Sequence, residues 1–333
     1  MCQGNEVPTN VIPTTTEQDF DEELFDSLCD GHCHPHDDIE NLGLIPKLRI
    51  GHITIMGVRQ DDWECVDNIA RQCNALRENM CIPSFGLHPW FVHRVMAGKS
   101  PESTAEEHYD RVLKASIAQE KLTMIECLPA PATYEHWIAD LRERLLEHPL
   151  ALVGEVGLDR AARLLPGGTM DWHGVKPTTV QTTLEHQLAI LDSQIDLAIE
   201  LDRAVSVHCV QGQGHLLQLL GSKSPRTPVR LCLHSYGASS ATIAQFMRLT
   251  GFSIYVSFSV AINGRLAPNK LDALIQAVPE DRLLIESDLN SPVGMEEHLV
   301  KLVHIISRAR QWSVAKTVHQ TRKNWLKFVN ISQ

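Results

Sequence analysis

Leu152-Val153-Gly154-Glu155-Val156-Gly157 is a short apolar run with a single carboxylate, Glu155, inside it. Downstream, Leu184–Leu201 carries apolar residues at helical spacing, and its Glu185-His186-Gln187-Leu188 segment has good helix composition. A second apolar run, Ala204–His208, follows that helix. Strand, helix, strand in this order implies a parallel β-α-β unit.

The same alternation extends in both directions. Candidate strands are Ser27–Gly31, His52–Val58, Ile82–Gly86, Leu152–Gly157, Ala204–His208, Val229–His234, Phe252–Phe258 and Leu283–Asp288. Helical stretches such as Ala238–Leu249 lie between them. Eight such units imply an α/β fold of the (β/α)8 TIM-barrel type rather than an open sheet. A chain of 333 residues with 43% hydrophobic residues suits one such barrel. Residues 1–25 are polar and acidic and predict a solvated tail, so the expected organisation is tail 1–25 and barrel 26–333.

Two connections are longer than a plain barrel needs. One runs from Pro89 to Gly154 and must hold more than one helix. The other, Arg160 to Val180, contains Pro166-Gly167-Gly168 and Trp172-His173-Gly174. Both leave the C-terminal ends of strands, so insertions at the active-site face are expected. His173 is the loop histidine to watch there.

Composition narrows the function classes. The formal net charge of -11 repels phosphate backbones unless bound cations reverse the field locally. Nine cysteines without C-x-x-C spacing argue against a disulfide framework and for a reducing, cytoplasmic or nuclear setting. No secretory signal is apparent, and no apolar stretch reaches the ~20 residues of a membrane span. The C-terminal cations from Arg308 to Lys327 are interleaved with Trp312, Trp325 and Phe328, which reads as a final helix with a solvated face.

The chemistry gathers at the strand ends. His32 and His34 end the first run, His88 follows the third, Glu155 ends the fourth, His208 the fifth, His234 the sixth and Asp288 the eighth. Barrel active sites are built from the C-terminal ends of several strands. His32 and His34 are two apart, so both side chains leave one face of an extended strand. Asp30 shares that parity and is placed to hold a histidine ring. Each histidine alone reads as structural; ligand-type residues at six separate strand ends read as a metal site. Imidazoles with carboxylates suit Zn, Mn, Ni or Fe(II), and carboxylates with water suit Mg. The set exceeds what one tetrahedral ion uses, so two divalent ions, bridged by Glu155, are expected. Glu286 is expected to support the ligands from behind or to be structural, rather than to be a direct ligand.

The motif order Asp30-Gly31-His32-Cys33-His34, Gly86-Leu87-His88-Pro89, Gly154-Glu155-Val156-Gly157-Leu158-Asp159, Val207-His208-Cys209, Leu233-His234-Ser235-Tyr236-Gly237 and Glu286-Ser287-Asp288 resembles the TatD family of metal-dependent hydrolases. Members of that family, which belongs to the amidohydrolase superfamily, are often named deoxyribonucleases. The resemblance runs from about Asp26 to Asp288. It implies that His32, His34, Glu155 and Asp288 hold one ion, and that Glu155, His208 and His234 hold a second (Mg, Mn or Zn). It also implies that His88 contacts the scissile phosphate or leaving group, and that Asp288 is the base that orients the attacking water.

The chain departs from the family around these ligands. Arg160, a candidate substrate-binding residue, stands where an aromatic is usual; Val210-Gln211 replaces an Arg-acidic pair; and Leu289-Asn290-Ser291 replaces a small residue, Pro and Tyr. The expected function is hydrolysis of phosphodiesters, most directly as a DNA exonuclease. Two other readings stand beside it. One is a hydrolase of other ester or amide substrates, which the lack of a lysine on the fourth strand disfavours. The other is a barrel of low activity that binds a protein partner through its tail or insertions.

Overall fold

The structure is a computed structural model that describes residues 20–98, 104–169 and 174–331. His173 and the first nineteen residues lie outside these. Eight parallel strands form one sheet in sequence order: β1 (Cys29–Cys33), β2 (His52–Met56), β3 (Cys81–Phe85), β4 (Leu152–Asp159), β5 (Val205–Val210), β6 (Val229–Leu233), β7 (Phe252–Phe258) and β8 (Leu283–Ile285). The Asp288 amide donates to the His32 carbonyl at 3.0 Å, and the His34 amide donates to the Leu289 carbonyl at 2.9 Å. These bonds join the two ends of the sheet, and the expected (β/α)8 barrel results.

The strands match the sequence expectation within a few residues, with one consequence. β1 starts at Cys29 rather than Ser27, so His32 lies inside the strand and His34 just beyond it. Phe20, Leu24 and Phe25 are buried, and Glu22–Ser27 forms a 3-10 turn capped by Asp21. The packed body therefore takes in residues 20–25, which the sequence reading gave to the tail. A tail has to leave its apolar groups in water, and three here have found the core instead.

Most of the core lies between the strands and the helices around them. A second cluster fills the opposite end of the barrel from the histidines. Inward-facing Cys29, Ile82, Leu152 and Leu284 meet Trp325 and Phe328 of the last helix, Val314–Val329. This helix closes the barrel floor, and the indole N–H of Trp325 donates to Thr54 Oγ1 at 3.0 Å. The preceding helix, Met295–Arg310, packs beside β8. The C-terminal cations thus belong to two helices whose apolar residues are buried. No helix among the described residues is long and apolar enough to cross a membrane.

The two long connections pack on each other. The first holds α-helices at Ala105–Val112, Ala118–Cys127 and Tyr134–Glu147. Its Leu113–Lys114 pairs antiparallel with Gln181–Thr182 of the second. Tyr109, Val112, Leu113 and Met124 of the first meet Leu164 and Val180 of the second in a separate small core.

Glycine fixes one close approach beside the site. Gly157 has φ +150°, and a Cβ there would sit 1.9 Å from the His208 carbonyl oxygen. No side chain fits between β4 and β5 at that level, and the backbone angle is one that L residues rarely adopt.

Candidate metal centre

Glu155 leaves β4 at the C-terminal end of the barrel and is buried. Its Oε2 lies 3.5 Å from His32 Nε2 and 3.3 Å from His34 Nε2. Its Oε1 lies 3.3 Å from His88 Nε2, 3.1 Å from His208 Nδ1 and 2.8 Å from His234 Nε2. One carboxylate thus faces five imidazoles, two on one oxygen and three on the other. Asp288 closes the first group, its Oδ1 3.8 Å from the Nε2 atoms of both His32 and His34.

His32 and His208 are aimed from behind. Ser206 Oγ meets His32 Nδ1 at 2.9 Å, and the His32 and His234 rings stack at 3.9 Å between centroids. His208 turns Nδ1 toward Glu155 and Nε2 toward Asp159 Oδ2, 3.1 Å away. Asp159 Oδ1 accepts the Ala161 and Ala162 amides, while Oδ2 also accepts the Trp90 indole N–H at 2.8 Å. Ser235 Oγ, at the end of β6, bonds both Glu286 Oε1 and Asp288 Oδ2, at 2.7 and 2.9 Å. Asp288 itself has φ +53° and Ser235 φ +40°, left-handed conformations held at two strand ends of the site.

Asp30 corrects one expectation. It holds no ring: its Oδ1 accepts the backbone amides of His32 and Ser287. Parity put its side chain inside the barrel, and the nearest donors there are main-chain groups at the β1–β8 junction.

The helix after β4, Leu184–Leu201, positions two of the strand-end loops. Gln187 Oε1 accepts the Asp159 amide and its Nε2 donates to the Asp159 carbonyl. Gln194 does the same for Leu87, next to His88. Seven residues separate the two glutamines, so both lie on the buried face of the helix. Each supplies the donor and acceptor that a neighbouring strand would supply.

The electrostatics follow from this packing. Burial pushes Glu155 up, but His88, His234, His32 and His208 overturn that and hold it well below the ordinary carboxylate range. Burial, reinforced by the neighbouring His234, lowers His32 to about 4. Burial also pushes His34 down, yet Glu155 and Asp288 lift it to about 9.

The donor set fits a divalent cation. His32 Nε2 and His34 Nε2 lie 3.1 Å apart and both point at Glu155. Two ring nitrogens so close share at most one proton between them, whereas a cation satisfies both together with the carboxylate. His32, His34 and Glu155 form one group with metal-ligand spacing, and His88, Glu155 and His208 form another. His32, His234 and Glu286 form a third, with Glu286 Oε1 also bonded by the Ser235 amide and hydroxyl. A group at Asp67, Glu147 and His148 is already paired with Arg71 and with itself.

The structure thus gathers His32, His34, His88, Glu155, His208, His234 and Asp288 at one end of the barrel. Arg160 is not in the cluster: it is exposed at the rim, where its guanidinium donates to the Gln211 carbonyl at 3.2 Å. Sequence reasoning assigned no role to Trp90, Asp159, Ser206, Ser235, Gln187 or Gln194. The signal for Ser206 was its parity with His208; for the glutamines it was two amides on an otherwise apolar helix face.

A parallel (β/α)8 barrel with imidazoles and carboxylates converging at its C-terminal end is an arrangement suited to a metal-dependent hydrolase. Residues 29–330 match the TatD related DNase family, and the chain belongs to that family of metal-dependent hydrolases acting on ester bonds. Cut9-interacting protein scn1 of Schizosaccharomyces pombe is 31% identical, with 92% of this chain and all of that protein covered. An uncharacterized deoxyribonuclease of Saccharomyces cerevisiae is 26% identical, again over 92% of this chain and all of the relative. The 3'-5' ssDNA/RNA exonuclease TatD of Edwardsiella piscicida is 25% identical over 59% of this chain and 68% of its own length. The fold is also that of the TatD homolog YjjV of Escherichia coli, with a TM-score of 0.58, 20% identity, and 93% of this chain and all of that one covered.

Proposed function

We propose that the chain cleaves phosphodiester bonds of nucleic acid strands, working from an end, with two divalent ions bridged by Glu155. The observation that carries this reading is the division of Glu155 between two groups of imidazoles, one on each oxygen. His32, His34, Glu155 and Asp288 would hold one ion; Glu155, His208 and His234 would hold the other. Such ions supply Lewis acidity toward a phosphoryl oxygen and acidify water at neutral pH.

The chain's own groups do the rest. Asp288, fixed by Ser235 Oγ, accepts a proton from the attacking water and orients it. His88, on the far side of Glu155 from that water, contacts the scissile phosphate or the leaving oxygen. Exposed Arg160 is placed to meet a backbone phosphate at the rim. The name of the Edwardsiella relative supports a strand substrate and exonuclease action.

The test is elemental analysis with a nuclease assay on labelled single-stranded DNA, for wild type and Glu155→Ala. The expected result is bound Mn, Zn or Mg in the wild type, cleavage that needs it, and a loss of about a hundred-fold or more in the variant. Unchanged metal-dependent cleavage by Glu155→Ala would overturn the site assignment.

A partner-binding role is the second reading, favoured by one relative's name, Cut9-interacting protein scn1. The paired insertions, with their own core at Tyr109, Leu113 and Val180, are the surface it would use. Replacing exposed Leu122 with Asp leaves nuclease activity intact and breaks such a complex if this reading holds.

A further inference from the structure

Trp90 is the single exposed aromatic residue among those described, at 49% exposure. The other tryptophans described, at 63, 137, 312 and 325, are buried or partly so. An indole left in water beside a metal-ligand cluster calls for a reason, since burying it would remove a large apolar area from solvent.

Its setting is built rather than accidental. The ring lies edge-on to His88, with centroids 5.1 Å apart and planes at 83°. It also sits 6.4 Å from the His208 ring. Its N–H is used, donating to Asp159 Oδ2 at 2.8 Å. The same oxygen meets His208 Nε2, and the other oxygen of Asp159 is held by the Ala161 and Ala162 amides. The backbone of residue 159 is clamped in turn by Gln187. Trp90 is therefore held at its edge while half its surface stays open.

The loop that holds Asp159 also carries cations. Arg160 and Arg163, both exposed, follow Asp159 directly in the chain, and their guanidinium groups donate to the loop carbonyls of Gln211, Ala161 and Ala162. A held aromatic face, bonded to a loop that carries exposed guanidinium groups, offers the two groups that bind a base with its backbone phosphate without reading sequence. The chain as a whole carries -11, so its general field does not draw a strand in, and local stacking has to help do so.

We propose that Trp90 is a stacking platform for a nucleic-acid base next to the scissile phosphate, held in register with the metal centre by Asp159. This rests on the nucleic-acid reading above and adds the subsite that seats the strand. A base stacked there keeps its phosphate close to His88, whose ring adjoins both Trp90 and Glu155.

The test measures binding of a phosphorothioate single strand, which resists cleavage, to the metal-loaded full chain by fluorescence anisotropy. It uses wild type, Trp90→Ala and Trp90→Phe, and strands either intact or abasic at the terminal nucleotide. Trp90→Ala is expected to bind the intact strand about ten-fold more weakly, the scale of one lost base–aromatic stack. Trp90→Phe, which keeps a ring face, binds within about three-fold of wild type. The abasic strand binds wild type as weakly as the intact strand binds Trp90→Ala, and abasic substitution costs Trp90→Ala nothing more. A role in packing alone weakens both strands equally, and that result overturns the proposal, as does Trp90→Ala binding like wild type. If wild type binds no strand yet hydrolyses bis(p-nitrophenyl) phosphate, the nucleic-acid reading falls and takes the platform with it. If strands are bound and cut but Trp90 has no effect, only the platform falls.

Discussion

Glu155 Oε2 faces His32 and His34 while Oε1 faces His88, His208 and His234, so the two groups of imidazoles meet through one buried carboxylate. Behind His208 stands Asp159. Burial pushes its carboxyl up, but the bonds from His208, Trp90 and the Ala161 amide overturn that and hold it below the ordinary range. With Nε2–H given to Asp159, His208 presents Nδ1 to Glu155, and a ligand histidine is fixed in one tautomer in this way. Asp159→Asn turns an amide N–H₂ toward donors that need an acceptor. The expected outcome is metal affinity reduced by about 10- to 100-fold, read by titrating the metal-free protein with Zn or Co. Native affinity in the variant would show that His208 needs no such support.

At the scale of elements, the helix Leu184–Leu201 joins the barrel to the insertions. Its Gln187 and Gln194 clamp the loops that carry Asp159 and His88. Its His186 is buried and bonds the Val92 carbonyl through Nε2 at 2.9 Å. Burial lowers this ring from its ordinary 6.5 to about 4, helped by His108 and Arg111 and opposed by the Val92 and Val95 carbonyls. Its folded-state pKa is thus below the unfolded one, so between pH 6.5 and about 4 the unfolded chain binds more protons. Stability from this group is complete above pH 6.5 and lost as pH falls through that window. His186→Gln keeps a donor for Val92 and cannot titrate. Between pH 7 and 5 the melting temperature of this variant should fall less steeply than that of wild type. Parallel slopes would show that His186 titrates alike in the folded and the unfolded chain.

For the whole molecule, the proposed ligands come from five strands or strand ends, so a bound ion would tie these together across the barrel. A ligand that binds only the folded state adds about 4 kcal/mol at a thousand-fold excess over Kd. Chelation should therefore lower the melting temperature by roughly 5–10 °C, and Mn or Zn should restore it, with a much smaller recovery in Glu155→Ala. A melting temperature indifferent to metal would mean that the histidines pack without an ion.

The barrel and the cluster of histidines and carboxylates at its end could be read from the chain because both depend on local pattern. Apolar runs that alternate with helical spacing become parallel strands, and a histidine or carboxylate closing such a run is delivered to the C-terminal rim. His32, His34, His88, Glu155, His208, His234 and Asp288 were all found by that rule. Tertiary structure alone decided which nitrogen each ring presents, that Asp30 holds backbone rather than a ring, that Phe20 belongs to the core, and that Arg160 stays at the rim. It also decided that the two insertions, on either side of β4, share a core, and that Trp90 hangs on Asp159. Periodicity records which way a side chain leaves its own strand or helix. It does not record what arrives from the next one, and most of these contacts join residues far apart in the sequence.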